Sequence, residues 1–264
     1  MPACRQFFNR NDSEMEGFDM RRSTSQLKQL ARECLAHRYR LPVLAFVTTL
    51  IIVLIVDALL DALFPVKQSL IVDFSYIAAS FITSLLFSIL SVGPITILLD
   101  MSRGGQGRFS DLFYAFRHQP DRIILSQLLI SLLSSLCFLP GTILLVISTV
   151  ALAVAGDDIL WAAITAVASV IPMIIGAVFA VYLRLCYALV IPLYIDCPQT
   201  GVMDLLRESR MLMKGNIGRC LWLMVSFIPL LLISVIALFI PVFWSYAYAQ
   251  MAFLQLYREL VGEI

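Results

Sequence analysis

Long apolar stretches alternate with short polar ones along this chain. The apolar stretches cover residues 41–64, 74–99, 123–155, 159–195, 220–240 and 242–257. Runs of this length read as helices that cross a hydrocarbon core of about 30 Å. In lipid only helices or closed barrels satisfy the backbone, and continuous rather than alternating runs argue against barrel strands. The pattern predicts an all-α fold, a polytopic transmembrane helical bundle of about six spans, in one membrane domain over residues 23–264. Residues 1–22 are polar and predict a disordered N-terminal segment; helical patterning begins just after Met20, an alternative start.

Two stretches are ambiguous. Residues 159–195 would form a helix of about 55 Å, long for one crossing. Residues 220–257 are long enough to fold back at Pro241. Charge separates the possibilities. With six spans and an internal N-terminus, 17 of the 19 Lys and Arg fall on the inside. Only Lys67 is external, and Arg184 lies within the fourth span. Such a bias marks the cytoplasmic side. Splitting only 159–195 would destroy it. The fourth span is therefore single, bent at Pro172 or extending past Arg184, and 220–257 is a hairpin. Trp161 and Trp244 then fall near the outer interface and Trp222 near the inner one, where amphipathic rings prefer to sit.

Three basic segments precede membrane hairpins: "QLKQLARECLAHRYR", "SDLFYAFRHQPDR" and "VMDLLRESRMLMKGN". The last reads as an interfacial amphipathic helix. Thr200 is its expected cap, Gly215 its expected C′ residue, and Val202, Leu205, Leu206, Ser209, Leu212 and Met213 share one face. Arg207, Arg210 and Lys214 occupy the other. They predict contact with anionic lipid headgroups; the alternative is a binding site in which Glu208 and Arg210 pair with other helices or a ligand. In the second segment Ser110 is the expected cap, and Leu112, Phe113 and Phe116 share a side. "RGGQG" before it lacks the pattern of a phosphate loop.

Other polar positions stand out against the apolar background. Asp57 and Asp61 lie one turn apart on the first span, where a carboxylate points to ion or proton handling unless it reaches outer headgroups. Arg184 either snorkels to the interface or pairs with Asp100 or Asp196. His37 and His118 have no partners at metal spacing. The six cysteines have no zinc-type spacing and imply no disulfide framework. No catalytic constellation is present, so no enzyme activity, cofactor or metal is expected, and no nucleic-acid partner.

Several pieces together resemble a family of bacterial integral membrane proteins catalogued as domain of unknown function 975. They are Gly93-Pro94, "FSDLFYAF" at 109–116, Asp196 with Pro198, "ESRMLMKGN" at 208–216, "SFI" at 226–228 and "LYREL" at 256–260. The resemblance covers about residues 20–264. It departs at Pro229 and at Leu256, where the family more often has Phe. It implies a six-helix bacterial membrane protein and no particular reaction. The resulting expectation is a non-enzymatic multi-pass protein of the bacterial cytoplasmic membrane, with both termini cytoplasmic, that contacts lipid or a protein partner through its amphipathic helices. The alternative is a transporter or transport accessory, with Gly93-Pro94, Pro140-Gly141 and Pro172 lining a pathway.

Overall fold

The computed structural model describes residues 22–36, 38–64, 70–154, 159–237 and 241–264. The N-terminal segment, His37, Lys67 and residues 156–158 lie outside these residues, as does the side chain of Trp161. Among the described residues all regular structure is helical. The helices are α1 (Thr24–Leu35), α2 (Arg40–Leu63), α3 (Leu70–Leu90), α4 (Val92–Ser102), α5 (Tyr114–Arg117), α6 (Pro120–Val154) and α7 (Ile159–Cys186). They continue as α8 (Val190–Asp196), α9 (Val202–Met213), α10 (Ile217–Val225), α11 (Ile228–Ile236) and α12 (Val242–Val261). A 3-10 turn, Phe109–Phe113, precedes α5.

Among the described residues five segments are long and apolar enough to cross a membrane: Arg40–Leu63, Ser75–Ser102, Pro120–Val150, Val167–Asp196 and Ile217–Ile236. The expected sixth, 242–257, is helical but is not one of them. Ser245, Gln250, Gln255, Arg258 and Glu259 make α12 too polar. It needs no apolar surface, because Ala247, Met251, Ala252, Leu254, Leu256 and Tyr257 are buried among α1, α2, α4, α10 and α11.

Proline explains where the long apolar runs break. The ring of a proline clashes with the carbonyl four residues earlier, yet proline fits the first turn of a helix. Pro94, Pro192 and Pro229 each lie in the first turn of a new helix, α4, α8 and α11. The chain turns just before them, at Ser91, at 187–189 and at 226–227. Pro140 and Pro172 remain inside continuous helices. The fourth run is therefore interrupted past Arg184, at 187–189, and continues as helix through Pro172. α11 and α12 pack against each other, and the Ser234 and Ser245 hydroxyls hydrogen-bond between them at 2.6 Å.

Glycine sets the closest helix pair. A Cβ at Gly176 of α7 would stand 2.4 Å from the Cys137 carbonyl oxygen of α6, and one at Gly141 would stand 2.6 Å from Met173 Cγ. These pairings run in opposite directions along the two helices, so α6 and α7 form an antiparallel hairpin. Small residues permit such approach where the hydrophobic effect does not drive association. The Pro140-Gly141 step, expected as a possible pathway lining, is thus part of a helix contact.

Burial is unequal. Only 6% of the most apolar window of α2 is buried, and 11% of that of the third segment. Leu54, Ile55, Leu132, Leu136, Ile171 and Ile175 are among the exposed side chains. The packed core instead joins α1, α4, α8, α9 and α12 at the charged end of the bundle. Leu27, Leu35, Ile97, Leu98, Leu189, Tyr194, Leu212, Met213 and Tyr257 belong to it.

Candidate functional site

The polar end is cross-linked by side chains from distant parts of the sequence. Asp196 ends α8 and accepts a two-pronged bond from Arg103, at 2.6 and 2.8 Å. It also accepts from the Tyr257 hydroxyl at 2.5 Å. Arg103 reaches on to Glu263, which accepts from Arg258 Nε at 2.9 Å. Arg258 in turn donates to the Ser102 carbonyl at 2.5 Å. Paired forks of this kind are the stronger class of ionic hydrogen bond. Burial pushes the Glu263 carboxyl up, but hydrogen bonds and charge from Arg103 and Arg258 outweigh it and hold it below the usual range.

A second knot surrounds Glu259. Its Oε1 accepts from Arg219 at 2.7 Å and from the Arg22 backbone N–H at 3.1 Å. Its Oε2 is buried with no hydrogen-bond partner among the described residues, so Arg219 is the main compensation seen for this carboxylate. Arg219 also donates to the Arg22 carbonyl at 2.8 Å. Near it, Lys28 of α1 bonds the Ser226 hydroxyl and sits 4.7 Å from the Phe227 ring centre. Arg32 donates to the Tyr248 hydroxyl at 3.0 Å. On the other side, Arg122 donates to the Pro198 and Thr200 carbonyls at 3.1 and 2.8 Å.

α9 rests on this platform. Its N-cap is Gly201 rather than Thr200, whose carbonyl is engaged by Arg122. Gly215 does occupy the C′ position, with φ +82°, a left-handed conformation that glycine adopts without strain. Leu205, Ser209, Leu212 and Met213 are buried. The Ser209 hydroxyl donates to the Cys186 carbonyl at the end of α7, at 2.9 Å. The apolar face therefore packs on the bundle, and not on a bilayer surface as an interfacial helix would. Once α8 and the end of α7 offer dry surface, that face is satisfied within the protein. α1 behaves alike: Ser23 caps it reciprocally with Gln26, and Leu27, Ala31 and Leu35 are buried.

The outward face of α9 differs. At about 100° per residue, Arg207, Arg210 and Lys214 fall within about 60° of one another. All three are exposed, beside Met203 at 71% exposure. The four salt bridges found among the described residues involve Arg103, Arg219 and Arg258 and none of these three. Glu208 flanks the stripe, half-buried, and burial raises its carboxyl above the usual value. The expected pairing of Glu208 and Arg210 with other helices is not seen among the described residues.

The remaining predicted positions scatter. Asp57 is exposed on the outer surface of α2, and Asp61 accepts from the Tyr76 hydroxyl at 3.2 Å. Arg184 is exposed near the end of α7 and pairs with neither carboxylate proposed for it. Asp196 belongs to Arg103, and Asp100 holds the following loop through the Gly107 N–H at 2.9 Å. Ser110 is not a helix cap; Arg108 precedes the 3-10 turn, Leu112 is buried, and Phe113 and Phe116 are exposed. Cys34, Cys137, Cys186 and Cys220 are free. Sequence reasoning missed Arg103, Arg219, Tyr257, Glu259 and Glu263. The signal for Tyr257, Glu259 and Glu263 was the density of ionisable residues at 257–263 after a long apolar stretch.

These features define an all-α protein with, among the described residues, five apolar segments suited to a membrane and a charged, internally bonded end. The chain belongs to the family described as Protein of unknown function (DUF975), whose model matches residues 20–263. No curated protein and no solved structure matches it. The family-like pieces meet in space. A Cβ at Gly93 would lie 2.1 Å from the Leu112 carbonyl oxygen, so "GP" and "FSDLFYAF" are packed backbone to backbone. Asp196 bonds Tyr257 of "LYREL", and Ser226 of "SFI" bonds Lys28.

Proposed function

We propose that this protein is a non-enzymatic multi-pass module of the bacterial cytoplasmic membrane, with its charged end and both termini on the cytoplasmic side. There α9 offers a fixed cationic stripe to anionic lipid headgroups. The supporting observation is the division of labour among cations. Arg103, Arg122, Arg219 and Arg258 bond inward, while Arg207, Arg210 and Lys214 face outward on a helix whose other side is locked to the bundle. A cation near an anionic surface contributes about 1 kcal/mol, and a rigid helix loses little freedom on contact. Asp204 and Glu208 flank the stripe and temper its charge. The orientation follows the positive-inside bias. The exposed apolar belts on α2, α6 and α7 suit lipid contact.

The test is reconstitution into nanodiscs of mixed phosphatidylcholine and phosphatidylglycerol, then mass spectrometry of retained lipid. Wild-type protein is expected to retain excess phosphatidylglycerol at low salt and less at high salt. Replacing all three cations, R207Q/R210Q/K214Q, should remove most of the salt-sensitive excess. Equal retention by both proteins refutes the proposal.

A further inference from the structure

A cleft of about 340 Å³ opens beside the start of α2, lined by Arg38, Arg40, Leu41, Met101 and Gln106. Its parts come from two places, the turn between α1 and α2 and the loop after α4. Arg38 is tied to that loop, donating to the Gly105 carbonyl at 3.3 Å. The loop itself is wound around Asp100, whose backbone carbonyl accepts from the Gly105 N–H at 3.0 Å and whose carboxylate accepts from the Gly107 N–H at 2.9 Å. That carboxylate is turned to the loop backbone. Among the described residues the lining thus holds two guanidinium groups and one amide and no carboxylate, beside Leu41 and buried Met101.

The chemistry that fits is an oxyanion with an apolar neighbour. Guanidinium forks match phosphate oxygens, and Gln106 adds an amide donor. The depth also fits. Arg40 is the first residue of one membrane-suited segment and Met101 lies one residue from the end of another. A phosphate here would sit where the apolar helices end, with Leu41 and Met101 leading toward their apolar surfaces.

We propose that this cleft is a phosphate-binding site, separate from the α9 stripe, that takes a single phosphoryl headgroup with its lipid tail or a free phosphate. The proposal relies on the membrane reading only for the depth of the cleft. It does not rely on α9.

The experiment uses the full chain, purified and delipidated in detergent, and reads melting temperature against added ligand. The probes are short-chain phosphatidylglycerol, inorganic phosphate, and short-chain diacylglycerol as the phosphate-free control. Phosphatidylglycerol should stabilise the protein saturably and diacylglycerol should not. R38Q/R40Q should weaken the apparent affinity by about tenfold or more. Stabilisation by inorganic phosphate as strong as by the lipid supports the site and assigns it to free phosphate. R207Q/R210Q/K214Q should keep the effect, so failure of the α9 reading leaves this result intact. Q106E, on an exposed loop position, places a carboxylate in the cleft and should weaken binding even if the double variant folds poorly. Equal stabilisation of wild type, R38Q/R40Q and Q106E overturns the proposal. So does a wild type that neither phosphate probe stabilises.

Discussion

Two carboxylates at the charged end titrate in opposite senses. Glu208 is half-buried, and burial raises its folded value above the ordinary 4.5. Its charged form is penalised in the folded state, so the penalty is absent below 4.5 and grows as pH rises through the folded value. Glu263 is the reverse: burial pushes it up, but Arg103 and Arg258 hold it low. Its contribution is present above the ordinary value and is lost as pH falls through the folded one. E208Q should therefore raise the melting temperature at pH 7.5, and E263Q should lower it. The E208Q difference should vanish as pH falls to 4.5, whereas the E263Q difference should begin to fade only below 4.5. Thermal melts across that range check this, and an E208Q protein no more stable than wild type at pH 7.5 contradicts the assignment. Composition singled out Glu208, Arg210 and Asp196 as charge in an oily chain. It could not say that Arg103 and Tyr257 close on Asp196, because those contacts span 93 and 61 residues of sequence. Nothing in local periodicity encodes them.

At the scale of elements, periodicity located the apolar runs to within a few residues, and the prolines located the breaks. Two things were hidden. Proline acts one turn early when it opens a new helix, as at Pro94, Pro192 and Pro229, and is tolerated within a helix at Pro140 and Pro172. An amphipathic face also cannot declare its partner. The face of α9 suited a bilayer surface as well as a bundle, and Ser209, an apparent flaw in that face, is the residue that bonds to α7. Serines inside the apolar runs likewise bond back to their own helix, as Ser131 does to Leu128 and Ser135 to Leu132. Glycine substitutions grade the helix contacts. G93A and G176A push a methyl group against a backbone carbonyl and should each cost about 1–3 kcal/mol. G141A meets the flexible Met173 side chain first and should cost less. G218A has open space within 4 Å and a helical backbone, so it should be neutral or slightly stabilising. Melting temperatures in one detergent give the order directly. A G176A protein as stable as G218A would mean that α6 and α7 are not in contact there.

The whole molecule divides its interactions by end. In the apolar part, exposed Leu, Ile, Val and Phe side chains carry the surface and helices meet through small residues. At the charged end, apolar burial and ionic bonding are concentrated together, which fixes α1, α9 and α12 relative to one another. The charge asymmetry of the sequence foretold which end this is. It did not foretell that Arg103, Arg122, Arg219 and Arg258 are bonded inward while α9 carries three outward cations in one stripe. Trp222 supplies a reporter for that stripe, since it lies shortly after Lys214 and is 65% exposed. The most direct measurement is fluorescence of W161F/W244F protein, in which Trp222 is the single remaining tryptophan, reconstituted with brominated phosphatidylglycerol or brominated phosphatidylcholine in equal mole fraction. Stronger quenching by the anionic lipid is expected at low salt, with the difference abolished by R207Q/R210Q/K214Q. Equal quenching by the two lipids in the protein with α9 intact would rule out an anionic-lipid role for the stripe.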